Sequence, residues 1–286
     1  MNSTAPHAAR EDDMAGAAVS LRFSVITVTY NAEKVLGRTL ESIASQTWPD
    51  VEHIIIDGAS TDRTLAIARQ YIKDNRIGEG SHDIILQSEP DGGLYDAMNK
   101  GLRRATGHYV VFINAGDCLH EPDTLWNIVK QVGHGDLPAV VYGDTDITDG
   151  EGNFLFRRAH RPPERLSWRS FRKGMLVCHQ AFYARGDIAK GIPYDLHYRH
   201  SADVDWCIRV MKEAEKRGLP LVNTRLTLAD YMREGQSTVF HRASLGERFA
   251  VMRHHYGMPV TVIMHVLFVF RAIWRKIRRG AATAAV

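Results

Sequence analysis

The feature that most constrains this chain is a regular alternation of β-branched runs with amphipathic stretches over residues 23–113. Phe23-Ser24-Val25-Ile26-Thr27-Val28-Thr29 reads as a strand. A helical stretch follows, with Val35, Leu36, Leu40 and Ile43 near i, i+4 spacing. Residues 51–56, 83–88 and 108–113 read as further strands, separated by helices at 63–73 and 94–104. Such alternation builds βαβ units on a largely parallel sheet. Sheets of this kind bind ligands outside the carboxyl ends of their strands. Three polar segments, residues 29–31, 57–62 and 114–117, stand at such ends.

Past Asp117 the rhythm loosens. The pattern predicts a helix at 122–132, a strand at 139–142, a Gly/Asp-rich turn and a short apolar run, Phe154-Leu155-Phe156. A basic stretch at 157–173 reads as partly loop, 175–183 as extended, 203–217 as helical, 220–226 as extended and 240–255 as helical. Residues 1–20 are Ala-rich and polar with no apolar periodicity, which predicts a disordered leader. At 286 residues and 44% hydrophobic content the chain can bury a large core without staples. Cys118, Cys178 and Cys207 are odd in number and form no CxxC pair, which excludes a disulfide framework and a cysteine zinc site. No apolar segment lies near Met1, so the expected setting is the cytoplasm.

The net charge of +3 is unevenly placed. Arg248, Arg253, Arg271, Arg275, Lys276, Arg278 and Arg279 follow the last acid, Glu247, and leave 29 basic against 33 acidic residues before it. A body with slight negative excess is not built for nucleic acid, whereas the tail suits an anionic surface. Residues 260–270 are apolar except for Thr261 and His265, too short a run to span a bilayer, which takes about 20 residues. With Trp274 among the following arginines, the expectation is an amphipathic helix lying on the cytoplasmic face of the inner membrane; a terminal helix packed on the body is the plainer alternative.

Neither GxGxxG nor GxxxxGK[ST] occurs, so no glycine-rich loop cradles phosphates. A nucleotide can still be held by carboxylates on its base and ribose, with a cation on its phosphates. Asp57 and Asp62 are placed for the first task and Asp117 for the second, although Ser60, Thr61 and Asp62 would equally cap a helix.

Four segments then come in order: Val25-Ile-Thr-Val-Thr-Tyr-Asn31, Ile56-Asp-Gly-Ala-Ser-Thr-Asp62, Glu89-Pro-Asp-Gly-Gly-Leu-Tyr-Asp-Ala-Met-Asn-Lys-Gly101 and Asn114-Ala-Gly-Asp117. Together they resemble the family two glycosyltransferases of GT-A fold, within the bacterial polysaccharide branch that includes colanic-acid-type transferases. The resemblance implies an α/β fold with a mostly parallel central sheet flanked by helices and C-terminal amphipathic helices. It implies a nucleotide-sugar-binding half at 21–120, an acceptor-binding half at 121–240 and membrane-associating helices at 241–286.

Carried over by position, Thr29, Asn31, Asp57, Asp91, Lys100 and Asn114 would line the donor. Asp117 matches the last carboxylate of the family's DxD motif, with Mg²⁺ or Mn²⁺ as the cofactor; Asn114 stands where many members have the first Asp. In Ser201-Ala202-Asp203-Val204-Asp205-Trp206, Asp203 resembles the base of a Glu-Asp motif whose Glu is here Ala202, and Asp205 supports it. Read from the residues alone, Asp203 could instead cap the following helix. Cys178-His179-Gln180 resembles the acceptor-side segment, and Glu234-Gly235-Gln236-Ser237 a Gly-Gly-x-Ser loop, with Ser237 near the diphosphate. Trp168 and Trp206 are open between sugar stacking and core packing.

The implied activity is inverting transfer of a sugar from a nucleoside diphosphate to a hydroxyl of a lipid-linked saccharide. A nucleotidyltransferase would need a basic loop where Tyr30-Asn31-Ala32-Glu33 stands. A non-catalytic sugar-nucleotide-binding protein or scaffold would not need both Asp117 and Asp203.

Overall fold

The computed structural model describes residues 21–75, 82–133, 135–233 and 241–283; the leader expected at 1–20 lies outside them. Strands β1 (Phe23–Thr29), β2 (Val51–Asp57), β3 (Asp83–Ser88) and β4 (Tyr109–Phe112) form a parallel block in the order β3-β2-β1-β4. Every residue of β1, β2 and β4 is buried. That burial explains their near-continuous apolar sequence, since helices cover both faces of a parallel block.

The two faces divide the side chains by parity. Ile26, Val28, Ile54, Ile56, Val110 and Phe112 share one core with Tyr95, Met98 and Leu102 of α3 (Leu94–Arg104) and Trp206 of α6 (Ala202–Lys216). Phe23, Val25, Val51, Tyr109 and Val111 pack on the other face with Ile43 of α1 (Leu36–Ala44) and Leu125 and Ile128 of α4 (Thr124–Val132). Ile55 joins Leu36 and Leu40 of α1 and Ala68 of α2 (Thr64–Asn75). Helix α3 approaches the sheet closely: a Cβ on Gly101 would sit 2.4 Å from Ile26 Cγ2.

The second half extends the sheet as β4-β8-β6-β9-β5, with β5 (Cys118–Leu119), β6 (Val140–Thr148), β8 (Phe182–Arg185) and β9 (Leu221–Met232); β7 (Phe154–Arg157) pairs with β6. Strand β8 runs antiparallel to both β4 and β6 and is followed by the short α5 (Gly186–Ala189). Here the structure corrects three sequence expectations. The strand expected at 139–142 continues to Thr148 through Gly143-Asp144-Thr145-Asp146, and the strand expected at 220–226 continues to Met232. They pair in parallel over most of their length, and two register shifts absorb the irregular residues. Long-range backbone pairing overrides the local turn signal. Residues 175–183 are not one extended run: strand begins only at Phe182, after a 3-10 turn over His179–Ala181.

Helix α7 (His241–Tyr256) docks on α6 through buried polar contacts. Asp205 accepts from Arg209 Nε at 2.6 Å and lies 2.7 Å from His255 Nε2. Glu247 accepts the backbone N–H groups of Arg199 and His200. Trp206 is wholly buried, and Trp168 stacks on Tyr256 with a 2° interplanar angle, so both tryptophans serve packing. Helix α8 (Met258–Thr283) then leaves the body with Val262, Ile263, Val266, Leu267, Val269, Phe270 and Trp274 exposed. Among the described residues no helix is long and apolar enough to cross a membrane.

The α3 contact yields a stability test. Alanine normally gains on glycine in a helix by about 1 kcal/mol. At Gly101 the clash with Ile26 outweighs that gain. Gly101→Ala is expected to destabilise the protein by about 1–3 kcal/mol in urea melts; a neutral or stabilising result would show that α3 does not sit this close.

Candidate active site

A cleft of about 550 Å³ opens where β1 and β4 end side by side. The strand order reverses there, since β2 lies to one side of β1 and β4 to the other. Crevices at such reversal points are where open α/β sheets take ligands.

The loops around the cleft are fixed by side chains from the polar segments. Asn31 sits in the left-handed region at φ 47°; its backbone N–H donates to Ser60 Oγ and its Oδ1 accepts from Thr61 N–H at 2.9 Å. Asp57 is fully buried and accepts from Ser60 N–H, Ser60 Oγ and Ser88 Oγ. Asp62 accepts the N–H of Thr64 and of Glu33, so the helix-capping role of that segment is real. Asp91 lies on Gly58, where a Cβ would meet its Oδ2 at 2.6 Å, and it accepts from Gly93 N–H at 2.8 Å.

The opposite wall is built by one tight turn. Gln180 is buried; its Nε2 donates to Asp117 Oδ2 at 2.6 Å, and Cys178 Sγ donates to its Oε1 at 2.7 Å. Its neighbour His179 lies 3.3 Å from Asn114 Nδ2 through Nε2, and 3.5 Å from Asp203 Oδ2 through Nδ1. Tyr95 Oη donates to Asp203 Oδ1 at 3.1 Å. Asn114, Asp117 and Asp203 thus meet around the His179-Gln180 turn.

The two carboxylates are tuned in opposite directions. Burial pushes the Asp117 carboxyl up to about 6, against the opposing pull of Gln180, the Met232 N–H, His179 and Arg38. Burial also acts to raise Asp203, but His179, Arg248 and the Val204 N–H prevail and hold its carboxyl below the usual range. Asp203 is therefore ionised at neutral pH and able to accept a proton, while Asp117 retains a marked cost of carrying charge.

Thr29, Asp91, Asn114, Asp117, His179, Gln180 and Asp203 all line the cleft. Asn31, Asp57, Lys100 and Asp205 do not. Asn31 and Asp57 hold the loops behind it. Lys100 pairs with Glu89 at 2.8 Å and donates to Pro90 O, and Asp205 faces Arg209 and His255. Ser201, not Asp203, occupies the cap position of α6. Ser237 and its glycine-containing loop lie outside the described residues.

Among the cleft residues to which sequence reasoning gave no role are Tyr95, Arg158, Arg199 and Arg248. Tyr95 lay within a quoted motif without a role. Arg158 donates to the carbonyls of His160, Met175 and Leu176, a structural task no local pattern announces. Arg248 lines the cleft from α7, and Arg199 from the loop before α6, its N–H held by Glu247 of α7.

The residues present fit a hard divalent cation. Asn114 Oδ1 and Thr29 Oγ1 are buried and take no hydrogen bond among the described residues, and the Asp117 carboxylate faces the same cleft. An all-oxygen set of this kind suits Mg²⁺ or Mn²⁺.

Comparison with known proteins agrees with this geometry. Residues 24–190 match the family Glycosyl transferase family 2. The chain is 39% identical over 188 residues to a PGL/p-HBAD biosynthesis glycosyltransferase of Mycobacterium tuberculosis, covering 65% of this chain and 68% of that one. Among solved structures it resembles Staphylococcus aureus TarS 1–349 in complex with UDP-GlcNAc, with TM-score 0.63 and 20% identity over 82% of this chain; it spans 65% of that chain, under two thirds of its length. It also resembles the mannosyltransferase PcManGT from Pyrobaculum calidifontis in complex with GDP-Man and Mn²⁺, with TM-score 0.56 and 19% identity over 93% of this chain and 81% of that one. The chain belongs to glycosyl transferase family 2 and is a glycosyltransferase.

The raised Asp117 carboxyl also makes stability depend on pH. The folded state keeps this proton up to about pH 6, whereas the unfolded chain releases it near the ordinary carboxyl value of 3.8. Folding therefore binds the proton between those values, and stability from this group falls as pH rises through the window. Relative to wild type, Asp117→Asn is expected to gain on the order of 3 kcal/mol between pH 4 and pH 7 in metal-free denaturant melts. A difference that stays flat with pH would contradict the burial argument.

Proposed function

We propose that this glycosyltransferase moves a sugar from a nucleoside diphosphate sugar to a hydroxyl of a lipid-linked saccharide acceptor, with inversion, in polysaccharide assembly of the colanic-acid-type branch. The observation that carries the reading is Asp203: an ionised carboxylate in the same cleft as Asp117, aligned by His179 and Tyr95. Inversion requires the acceptor oxygen to attack the anomeric carbon from the face opposite the leaving diphosphate. A base must then take the hydroxyl proton on that face. Asp203 is that base, and His179 and Gln180 form the acceptor side of the turn.

Thr29 and Asp91, with Asn31, Asp57 and Lys100 behind them, form the donor side. Asp117 and Asn114 would hold Mg²⁺ or Mn²⁺, which supplies positive charge to the departing diphosphate. Support comes from two proteins of the same fold, one solved with UDP-GlcNAc and one with GDP-Man and Mn²⁺. Residues 21–120 serve as the donor half and 121–240 as the acceptor half.

Asp203→Asn is expected to lower turnover by about 10²–10⁴-fold. The thermal shift produced by UDP or GDP with Mn²⁺ should remain unchanged. Turnover close to wild type would remove Asp203 from this role.

We further propose that α8 rests on the cytoplasmic face of an anionic inner membrane, where the acceptor lipid lies. Val262, Val266, Phe270 and Trp274 form an exposed apolar stripe, and the sequence supplies Arg271, Arg275, Lys276, Arg278 and Arg279 over the same stretch and just beyond it. An apolar face with a basic, aromatic end favours such an interface. Full-length protein should co-sediment with vesicles containing anionic lipid, and Val266→Glu with Phe270→Glu should abolish this. Equal sedimentation of the double variant would exclude α8 as the contact.

A further inference from the structure

A second polar cluster lies outside the cleft, at the junction of β5, β6 and β9. His120 follows β5 directly, Asp146 stands on β6 and Asp230 on β9. Asp146 and Asp230 are register partners on adjacent parallel strands, and Asp230 also pairs with Cys118 of β5. His120 Nδ1 lies 2.7 Å from Asp230 Oδ1, and one ligand atom from each of the three residues falls within 4.8 Å of the others.

Asp146 makes the cluster more than a surface ion pair. It is only 8% exposed, and its Oδ1 is buried with no hydrogen-bond partner among the described residues. Arg157, its register partner on β7, forms no ion pair with it among the described residues. Two carboxylates side by side on neighbouring strands repel each other, and a buried, unpaired one is costly. A protonated His120 can serve Asp230 through one nitrogen, but that leaves Asp146 Oδ1 without a partner. A cation bound by all three residues removes both costs.

We propose that His120, Asp146 and Asp230 form a second divalent-metal site, separate from the Asp117 site. One imidazole and two carboxylates are a mixed nitrogen and oxygen set, which selects a first-row transition ion such as Zn²⁺ or Mn²⁺ over Mg²⁺ or Ca²⁺. His120 and Asp230 are partly exposed, which gives the ion an entry path and leaves room for water ligands. The site's function is mechanical. It ties β5 and β6 to β9, whose Met232 N–H donates to Asp117 Oδ1 at 3.0 Å and whose Tyr231 and Met232 wall the cleft. It therefore braces the strand that positions Asp117 without touching the substrate.

The test uses the full-length chain carrying Asp117→Asn, so that the cleft contributes no strong site, and it contains no nucleotide. Equilibrium dialysis against Zn²⁺, followed by metal analysis, should find about one bound equivalent. Adding His120→Gln or Asp146→Asn should weaken binding at least tenfold. Zn²⁺ at a hundredfold excess over its Kd should raise Tm by about 5 °C or more in the parent and not in either second variant. Co²⁺ added to the parent should give visible d–d bands of a nitrogen- and oxygen-ligated ion, a readout that does not depend on a second variant folding. Absence of bound metal and of those bands in the parent would overturn the proposal. So would unchanged affinity in both second variants.

Discussion

The turn Cys178-His179-Gln180 is the contact on which the rest of the site depends. Gln180 reaches the loop between β4 and β5 through Asp117, and His179 reaches it through Asn114. His179 also approaches Asp203 at the start of α6. Three segments separated by up to 90 residues are thereby held around one cleft by neighbouring side chains. The turn has little freedom, because Cys178 fixes the Gln180 amide from below and β8 begins immediately after it. Preorganisation of this kind lets charged groups work without reorganising during a reaction.

That arrangement also explains the opposite tuning of Asp117 and Asp203. Both are enclosed, and enclosure alone would neutralise both. Asp203 is offset by a histidine and an arginine as well as a helix N-terminus, whereas Asp117 receives mainly neutral donors. One carboxylate held below and one pushed above the usual range are therefore set apart by their surroundings, not by residue type. At Asp146, in the second cluster, the buried Oδ1 takes no hydrogen bond among the described residues.

The C-terminal helices close the molecule in a way the first half could not. Asp205 and His255 fasten α7 to α6, and Asn99 bonds both backbone groups of Tyr194 across 95 positions. These clamps bring Arg248 to the cleft and leave α8 projecting with an apolar face.

Much of the first half of the chain was legible from residues alone. β-branched apolar runs marked β1 through β4 and helical apolar spacing marked their helices, because strands buried on both faces and amphipathic helices carry their burial pattern in the local sequence. Polar residues at strand ends marked where a ligand would sit, and Thr29, Asn114 and Asp117 do line the cleft. The full lengths of β6 and β9 were not legible, since each is a strand only by pairing with the other, against local Gly and Asp turn signals. Sequence could nominate Asp57, Lys100 and Asp205 but not say which way they face; their partners, Ser88, Glu89 and His255, are chosen by packing. Local chemistry thus determined which elements form and which residues can react. Long-range contacts alone decided which of those residues share a cleft, because side-chain direction and charge are set by neighbours distant in the chain.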